Sequence, residues 1–438
     1  MLYNFYEMNR AATSPAHAFA RTQSSFLHAP WNPIRELPGG RAMTAMVDVL
    51  ESITRVYGKP QWNLPVTEIG NMQVAVKPKL AWRDVWCDLL HFERDPAQLA
   101  EARARRGQSA DHRDPILLIC APLSGHYATL LRGTVSAFLP DHEVYVTDWA
   151  DARMRPVWEG RFGLDDYVSY IREILTFLGP QAHVVGVCQP GPPVLAAIAL
   201  MSEDGDPNLP ATMTFMGSPI DTRRSPTVPN LLAKEKSFGW FESNMVHTTP
   251  PLYPGALRRV YPGFVQLASF MNMNWERHVD AHWEFFNHLV EGDGDNAAKH
   301  REFYDEYLAV LDLTEEFYLE TILRIFQEDH LATDRFMWKG RKVDVRAITD
   351  VALMTVEGER DDISGIGQTQ AAHDLCLNIP AHMRIDHVQK EVGHYGVFNG
   401  RRFLQEIAPR MKRFFREHEK GQRGNVLPLA RRKNRTAS

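Results

Sequence analysis

Residues 184–201 read VVGVCQPGPPVLAAIALM, a β-branched apolar run followed by a small-residue helical pattern, with a cysteine at the junction. A buried strand that turns sharply into a helix can hold one side chain over the carboxyl edge of a sheet in a strained conformation. Gly186 leaves room for such a turn, and Pro190 and Pro192 fall in the first helical turn, where a missing backbone N–H costs little. The segment therefore predicts a strand, a sharp turn at Cys188 and a helix packed against the sheet.

Apolar runs of the same kind recur along the chain and predict further buried strands. They are PILLICAP (115–122), HEVYVTDW (142–149), AHVVGVC (182–188), ATMTFMGSP (211–219) and VALMTVEGE (351–359). Helical patterns separate several of these runs, notably LDDYVSYIREILTFLG at 164–179. Alternating strands and helices imply right-handed parallel crossovers, so we expect an α/β fold with a mostly parallel, doubly wound sheet.

Changes of pattern suggest how the chain divides into units. A helical pattern at 41–57 and short alternating runs at 72–76 and 85–92 come first, and the polar run 94–114 is typical of an exposed connection. Between about 220 and 340 the strand pattern breaks, and aromatic residues follow helical spacing. We expect an N-terminal helical and strand segment that packs on the core (1–100), the first part of the core (101–219), an inserted helical lid (220–340), the second part of the core (341–417) and a disordered basic tail (418–438).

The composition argues against several functional classes. The 438 residues carry a formal net charge of −5, which does not favour nucleic-acid binding. Four cysteines lie far apart without a CxxC pair, and no His/Asp/Glu set has metal-ligand spacing, so we expect no disulfide framework and no bound metal. The N-terminus lacks a signal-peptide pattern, and no apolar stretch reaches the roughly 18 residues that a membrane span needs. We therefore expect a cytoplasmic protein without a membrane span.

Cys188 is the candidate nucleophile. At the start of a helix, the partial positive charge of the helix dipole stabilises a thiolate, which is the reactive form of cysteine. The alternative for any cysteine is a buried small hydrophobic residue. Cys87, Cys120 and Cys376 have no strand-to-helix corner around them, so we expect that alternative for these three.

A nucleophilic thiol needs a base and an acid that orients the base, and in this fold they follow the nucleophile in the order acid, then histidine. Asp361 lies just beyond the apolar run 351–359 and is the expected acid, with the adjacent Asp362 as the alternative. His394 lies in a glycine-flanked loop after the last strand pattern and is the expected base. Other histidines nearby, at 373, 382 and 387, lack that context.

Acyl transfer also requires donors for an oxyanion. The backbone N–H of Gln189, directly after the nucleophile, is one candidate. The second is expected from Leu123 or Ser124, in the loop after the buried run at 115–122. The alternative is that residues 124–126 form only a tight turn with a polar surface residue.

Several of these segments together resemble one known family. They are LLHFERD (89–95), APLSGHYATLL (121–131), GVCQPGPP (186–193), TFMGSPID (214–221), EGERDDI (357–363) and VGHYGVFNG (392–400). They resemble the intracellular poly(3-hydroxybutyrate) depolymerases, relatives of the polyhydroxyalkanoate synthases, and the resemblance extends over roughly residues 1–417. It implies an α/β-hydrolase fold without a cofactor, with Cys188, Asp361 and His394 as the triad, and a substrate of amorphous polyester stored in cytoplasmic granules.

One departure from the general motif bears on the direction of the reaction. A strict G-x-C-x-G box has glycine at position 190, where this chain has Pro190 followed by Gly191. The synthase relatives keep the strict form, so the departure favours hydrolysis. The alternatives are a synthase-type acyltransferase and a granule-binding protein without catalysis. Coenzyme A remains an alternative acyl acceptor to water, and the sequence leaves the oligomeric state open.

Overall fold

The computed structural model describes residues 2–37, 39–109, 112–273, 275–291 and 293–419. The predicted basic tail at 418–438 lies outside these residues from position 420 onward. Within the described ranges, nine strands form one sheet, and smaller sheets of three and two strands lie apart from it.

The strands are β1 (Val66–Ile69), β2 (Met72–Asp84), β3 (Cys87–Arg94), β4 (Ile116–Cys120), β5 (Glu143–Trp149), β6 (His183–Val187), β7 (Thr212–Met216), β8 (His247–Thr248), β9 (Arg259–Tyr261), β10 (Leu313–Thr314), β11 (Met337–Trp338), β12 (Arg341–Lys342), β13 (Ala352–Gly358) and β14 (Arg384–Gln389). The main sheet has the order β1-β2-β3-β5-β4-β6-β7-β13-β14. Its first four strands pair antiparallel, and from β5 to β14 every pair is parallel.

The α-helices are α1 (Leu2–Leu27), α2 (Gly40–Thr54), α3 (Pro96–Arg105), α4 (Arg132–Phe138), α5 (Leu164–Leu178), α6 (Gly191–Glu203), α7 (Val228–Glu235), α8 (Phe238–Met245), α9 (Gly263–Met273), α10 (Trp275–Glu291), α11 (Gly294–Tyr307), α12 (Glu315–Thr321), α13 (Ala372–Leu375), α14 (Gly400–Arg402) and α15 (Ala408–His418). The 3₁₀ segments are Pro33–Glu36, Ala128–Leu131, Ala152–Met154, Val157–Glu159, Val345–Ala347, Ala381–Met383 and His394–Val397. π-helical turns at Ile322–Gln327 and Phe403–Ile407 extend α12 and join α14 to α15.

The parallel strands are buried because helices cover both faces of the sheet. Every residue of β6, β7 and β13 is buried. Successive side chains of a strand point to opposite faces. Accordingly, Val184 packs in one layer with Ile171 of α5 and Ile198 of α6. Val185 packs in the opposite layer with Val135 of α4 and Phe414 of α15. Two hydrophobic layers thus enclose the sheet.

This topology is that of an α/β hydrolase. The chain has the inverted strand order β5-β4, parallel crossovers through helices, and a sharp turn after β6 into α6. The predicted fold class is confirmed. The continuous apolar runs found in the sequence correspond to β4, β5, β6, β7 and β13.

Three local predictions were wrong or incomplete. The run 94–114 contains the helix α3, which starts after Asp95, whose side chain caps the N–H groups of Ala97 and Gln98. Most of its residues are exposed, so the apolar periodicity that would mark a helix is absent. The long helix α1 was not predicted. The sequence GQTQAAHDLC (367–376), between the expected acid and histidine, predicts a helix, but it forms turns and the short α13.

The chain between β7 and β13 contains α7 to α12 together with β8 to β12. The break in strand pattern between about 220 and 340 therefore corresponds to a mainly helical stretch. Its role as a lid, and the division into five units, stay predictions. Among the helices that the structure describes, none is long and apolar enough to cross a membrane.

Candidate active site

Cys188 lies at the sharp turn between β6 and α6. Its φ of +65° is in the left-handed region, which a residue with a side chain adopts only when its surroundings enforce it. The N–H of Cys188 donates to the carbonyl of Met216 at 2.7 Å, and its carbonyl accepts from the N–H of Gly191 at 3.1 Å. These two bonds hold the turn, so the predicted corner is present, and Cys188 lines a cavity together with His394.

Glycines allow this turn to pack closely. A Cβ at Gly191 would collide with the Cβ of Ser218, at the end of the neighbouring strand. A Cβ at Gly186 would lie 3.3 Å from Cδ1 of Phe215, which is a tight contact. The first turn of α6 therefore lies against the sheet edge only because residue 191 has no side chain.

Asp361 and His394 come together in the structure. The Nδ1–H of His394 donates to Oδ2 of Asp361 at 2.8 Å, and both side chains are buried. The other carboxylate oxygen, Oδ1, accepts from the N–H groups of Ile363 and Ser364 at 2.9 and 2.8 Å. Asp362, the alternative acid, is exposed. By position, the carboxylate that contacts the imidazole is that of Asp361.

The electrostatics of His394 follow from these partners. Burial by itself lowers the pKa of His394, but the charges of Asp361 and Cys188, with hydrogen bonds to both, raise it well above the ordinary value. The imidazole is thus linked to the thiol on one side and to the carboxylate on the other. Such an arrangement can take a proton from the thiol and return it to a leaving group.

Gly217 is a site residue that the sequence analysis did not single out. It follows β7 with φ +55°, and a Cβ there would lie 3.0 Å from Cε1 of His394 and 3.3 Å from Oδ2 of Asp361. The glycine lets the backbone approach the imidazole edge-on. Its signal in the sequence was the Gly-Ser-Pro that ends the apolar run at 211–219.

The loop after β4 lies beside the thiol. Leu123 and Ser124 line the same cavity as Cys188 and His394, and Gly125 has φ +100°. The loop is therefore part of the site and not only a surface turn. Its N–H groups differ: that of Leu123 donates to the side-chain Oε1 of Gln189 at 3.3 Å, whereas that of Ser124 makes no hydrogen bond to the described part of the chain.

The cavity has a volume of about 310 Å³ and a mostly apolar lining. Aromatic and aliphatic side chains from the stretch between β7 and β13 form much of its wall, including Phe241, Tyr318 and Phe326. His126 also lines it, and burial lowers the pKa of that imidazole to about 4, so its side chain is neutral. A mostly apolar chamber of this kind suits an uncharged substrate with aliphatic groups.

Four polar atoms in the cavity wall are exceptions to this apolar character. Nε2 of Gln189, Oε1 of Gln266, Oγ1 of Thr321 and Oγ of Ser364 are buried and have no hydrogen-bond partner among the residues described. Buried polar atoms normally have partners. No sequence pattern marks Gln266, Thr321 or Ser364, because each reaches the cavity from a distant part of the chain. These four atoms are available to the oxygens or hydroxyl of a bound molecule.

The other three cysteines are buried, as the sequence predicts: Cys87, Cys120 and Cys376 are 1%, 0% and 0% exposed. Burial raises the pKa of the thiols of Cys87 and Cys120 well above the ordinary value, and that of Cys376 to about 12. The described residues contain no group of three or more His, Cys, Asp or Glu that could hold a metal ion.

Part of the chain matches a known protein family. Residues 217–419 match the family described as PHB de-polymerase C-terminus. The match covers somewhat less than half of the chain. The matched region contains Asp361 and His394, while Cys188 precedes it. No curated protein matches the chain. The family match and the α/β-hydrolase topology support an ester hydrolase.

Solved structures with some likeness come from several enzymes. Rv0554 of Mycobacterium tuberculosis is 12% identical, with a TM-score of 0.44, covering 80% of this chain and 98% of that chain. The monoacylglycerol lipase of Paleococcus ferrophilus is 13% identical, with a TM-score of 0.40 and coverages of 70% and 96%. A thermophilic esterase of Thermogutta terrifontis is 12% identical, with a TM-score of 0.38 and coverages of 70% and 90%.

Proposed function

We propose that this protein is a PHB depolymerase, which hydrolyses amorphous poly(3-hydroxybutyrate) or a related short-chain polyester through a Cys188–His394–Asp361 triad. The observation that carries the proposal is the strained turn at Cys188, whose thiol shares one apolar cavity with an imidazole bonded to a buried carboxylate. This arrangement supports covalent catalysis on an uncharged ester.

In the first half-reaction, the thiolate of Cys188 attacks the carbonyl carbon of a polymer ester, and a C–S bond forms. Backbone N–H groups stabilise the oxyanion, with that of Gln189 as one donor. When the intermediate collapses, the C–O bond breaks and the electron pair stays on the departing oxygen. The imidazolium of His394 gives that oxygen its proton, so one product leaves as an alcohol and a 3-hydroxyacyl thioester remains on Cys188.

In the second half-reaction, neutral His394 takes a proton from water, and the resulting hydroxide attacks the thioester carbonyl. The C–S bond breaks, the thiolate of Cys188 returns, and a 3-hydroxy acid or an oligomer is released. Asp361 keeps the Nδ1–H tautomer of the imidazole and stabilises its protonated form, as the 2.8 Å bond allows. Coenzyme A, itself a thiol, is the alternative acceptor in this step.

The cavity wall supports a polyester as the substrate. A poly(3-hydroxyalkanoate) repeats an ester group and a short aliphatic segment along an uncharged chain. The mostly apolar lining suits the aliphatic parts, and Thr321 and Ser364 offer polar hydrogens for ester oxygens. Oε1 of Gln266 is an acceptor that suits a terminal hydroxyl group.

Release of 3-hydroxybutyrate tests the proposal. Amorphous polymer granules are incubated with the wild-type protein or with Cys188→Ala, with and without coenzyme A, and soluble products are identified by mass spectrometry. We expect the free acid or its oligomers from the wild type, and none from Cys188→Ala. A coenzyme A thioester as the main product would show that coenzyme A, and not water, accepts the acyl group. Incorporation of 3-hydroxybutyryl-coenzyme A into polymer without release of the acid would favour the synthase alternative. Binding to granules without any turnover would favour the granule-binding protein without catalysis.

We also propose that the protein binds the granule surface through α1 and α2. Large apolar side chains of α1 are well exposed, with Phe5 60%, Met8 69% and Phe19 64% accessible, and α2 adds Met46 at 66% and Ile53 at 64%. Among the described residues of α1, Arg21 is the one exposed charged side chain. A charge-poor, aromatic and methionine-bearing surface suits a neutral aliphatic polymer better than an anionic membrane, which binds lysine and arginine.

A further inference from the structure

The side chain of Gln189 lines the cavity beside the nucleophile. It is 7% exposed and lies beside the thiol of Cys188, on the residue that follows the nucleophile. Its Oε1 accepts a hydrogen bond from the N–H of Leu123 at 3.3 Å. Its Nε2 is buried and has no partner within the described chain. One long hydrogen bond is therefore the polar contact that holds this amide.

The Leu123 N–H is one of the donors expected to stabilise the oxyanion. Such donors act at 2.7–3.1 Å from the position that the oxyanion occupies. An amide oxygen already bonded to that N–H occupies the acceptor position beside it. The backbone N–H of Gln189 itself makes no hydrogen bond to the part of the chain that the structure describes. Of the three candidate donors, the N–H groups of Gln189 and Ser124 thus make no hydrogen bond within the described chain, and that of Leu123 is covered.

We propose that the Gln189 side chain is a gate on the oxyanion site, which covers the Leu123 N–H until a substrate carbonyl displaces it. The cover satisfies a backbone donor that would otherwise face an apolar cavity without a partner, which is unfavourable. Opening is easy because the bond is long and because Nε2 has no partner to lose. This inference rests on the proposed ester chemistry at Cys188, but not on the identity of the polymer.

A gate and a donor make opposite predictions. If Leu123, and not Ser124, supplies the second donor and the amide covers its N–H, every substrate must break that bond before its oxyanion is fully stabilised, and removing the amide oxygen speeds acylation. If the amide instead donates to the oxyanion or positions the loop, removing it slows acylation. As a gate, Gln189 acts through the Leu123 N–H and is a positioning residue. Whether acylation becomes faster or slower when its amide is removed therefore distinguishes the two roles.

The test uses three variants and a soluble ester. Gln189→Met keeps the length of the side chain and removes the strong acceptor, Gln189→Ala removes the side chain, and Gln189→Glu replaces the amide by a carboxylate. Stopped-flow burst kinetics with 4-nitrophenyl butyrate give the acylation rate constant. A neutral hydrogen bond contributes a net 0.5–1.5 kcal/mol, so we expect acylation by Gln189→Met and Gln189→Ala to be about 2- to 10-fold faster. Gln189→Glu should be slower, because its charge repels the oxyanion.

Inhibitor binding distinguishes an effect of Gln189→Met on the oxyanion site from an effect on the cavity as a whole. Butyraldehyde adds to the thiol of Cys188 and forms a hemithioacetal whose oxygen occupies the oxyanion site, whereas 1-butanol fills the cavity without one. Gln189→Met should bind butyraldehyde about 2- to 10-fold more tightly, by the same estimate, and bind butanol with unchanged affinity. Slower acylation or weaker aldehyde binding in a folded Gln189→Met protein would overturn the proposal.

A crystal structure of the wild-type protein with bound butyraldehyde provides a check that needs no variant to fold. We expect Oε1 of Gln189 to have left the Leu123 N–H, which then donates to the hemithioacetal oxygen. An amide that stays bonded to Leu123 in that complex contradicts the gate. Because these measurements use a soluble ester and an aldehyde, their outcome is independent of whether polyester is hydrolysed, and the granule experiment is judged separately.

Discussion

At the scale of single residues, backbone geometry separates two neighbouring aspartates that sequence reasoning left as alternatives. Asp361 is buried, accepts two backbone N–H bonds on Oδ1 and contacts His394 through Oδ2, whereas Asp362 is exposed. No property of the peptide Arg360-Asp361-Asp362 in the sequence distinguishes them. The turn after β13 decides which carboxylate faces inward.

The two aspartates give a matched pair of variants. Asp361→Asn should lower kcat for 4-nitrophenyl butyrate by about 10²- to 10⁴-fold, because the amide no longer enforces the Nδ1–H tautomer of His394. Asp362→Asn changes an exposed side chain and should stay within about twofold of the wild type. Steady-state kinetics check both variants, with circular dichroism to show that each is folded. A near-normal Asp361→Asn with an inactive Asp362→Asn would show that the acid is misassigned.

The pKa of His394 predicts how stability depends on pH. Because the pKa is raised in the folded state, the imidazolium stabilises the protein fully below its unfolded pKa of roughly 6.5, and this contribution is lost as pH rises through the folded value. The gap in free energy of unfolding between wild type and His394→Gln should therefore be largest near pH 6 and shrink towards pH 9. Urea denaturation at several pH values measures it. A gap that widens with pH would contradict the assigned charge interactions.

At the scale of elements, the sequence was informative where burial dictates the residue type. β4, β6, β7 and β13 are buried on both faces, so their apolar runs stand out. The turn at Cys188 was recognisable because glycine and proline reveal backbone geometry. In contrast, α1 and α3 expose most of their residues, and no apolar stripe marks them as helices.

The cavity was harder to predict because its polar atoms come from separate elements. Gln266 belongs to α9, Thr321 to α12, and Ser364 to the turn after β13. No local motif connects them, and only the packing of the stretch between β7 and β13 on the sheet edge brings them together. For Gln189, the sequence predicted a role of the backbone N–H, and the position of its side chain depends on a contact with Leu123 across 66 residues.

The contact of α6 with the sheet edge predicts a stability effect. Gly191→Ala introduces a Cβ that collides with Ser218, so overpacking should lower the free energy of unfolding by about 1–3 kcal/mol. Gly239→Ala, within α8, is the control: its Cβ would meet nothing within 4 Å, and alanine should stabilise the helix by up to about 1 kcal/mol. Urea denaturation of both variants measures the difference. Equal stabilities would show that the turn yields without strain.

At the scale of the whole molecule, the N-terminal helix is tied to the wall of the cavity. The hydroxyl of Tyr3 donates to Oδ2 of Asp312 at 2.6 Å, and Oδ1 of Asp312 accepts from the N–H of Gly263, the first residue of α9. The ring of Tyr6 stacks on that of Phe264 with centroids 4.0 Å apart. A surface bound through α1 would therefore lie close to the helix that carries Gln266.

Substitutions on α1 test the proposed contact with polymer. The triple variant Phe5→Ser, Met8→Ser, Phe19→Ser should bind amorphous polyester particles about 10- to 100-fold more weakly, because three large apolar side chains are lost from the contact. Its hydrolysis of 4-nitrophenyl butyrate should stay within about twofold of the wild type. Co-sedimentation with particles measures binding.

A control changes equally exposed apolar residues elsewhere, at Trp158, Leu257 and Leu377, each to serine. This control should bind particles as the wild type does, and equal losses in both triple variants would contradict a specific contact through α1. Size-exclusion chromatography tests whether this surface binds a second copy of the chain instead of polymer. A dimeric wild type that becomes monomeric in the α1 variant, with particle binding retained, would identify a second copy of the chain as the partner of this surface.

Three thiols are buried, whereas that of Cys188 is half-buried and lines the cavity, and this difference has a practical consequence. A small alkylating reagent such as iodoacetamide should modify the native protein at one position, and the label should be found on the tryptic peptide that contains Cys188. The number of labels per protein molecule would give the fraction of molecules in a preparation that carry a reactive Cys188. Rates per molecule from different variants could then be compared after normalisation to that count, without assuming that every purified chain is active.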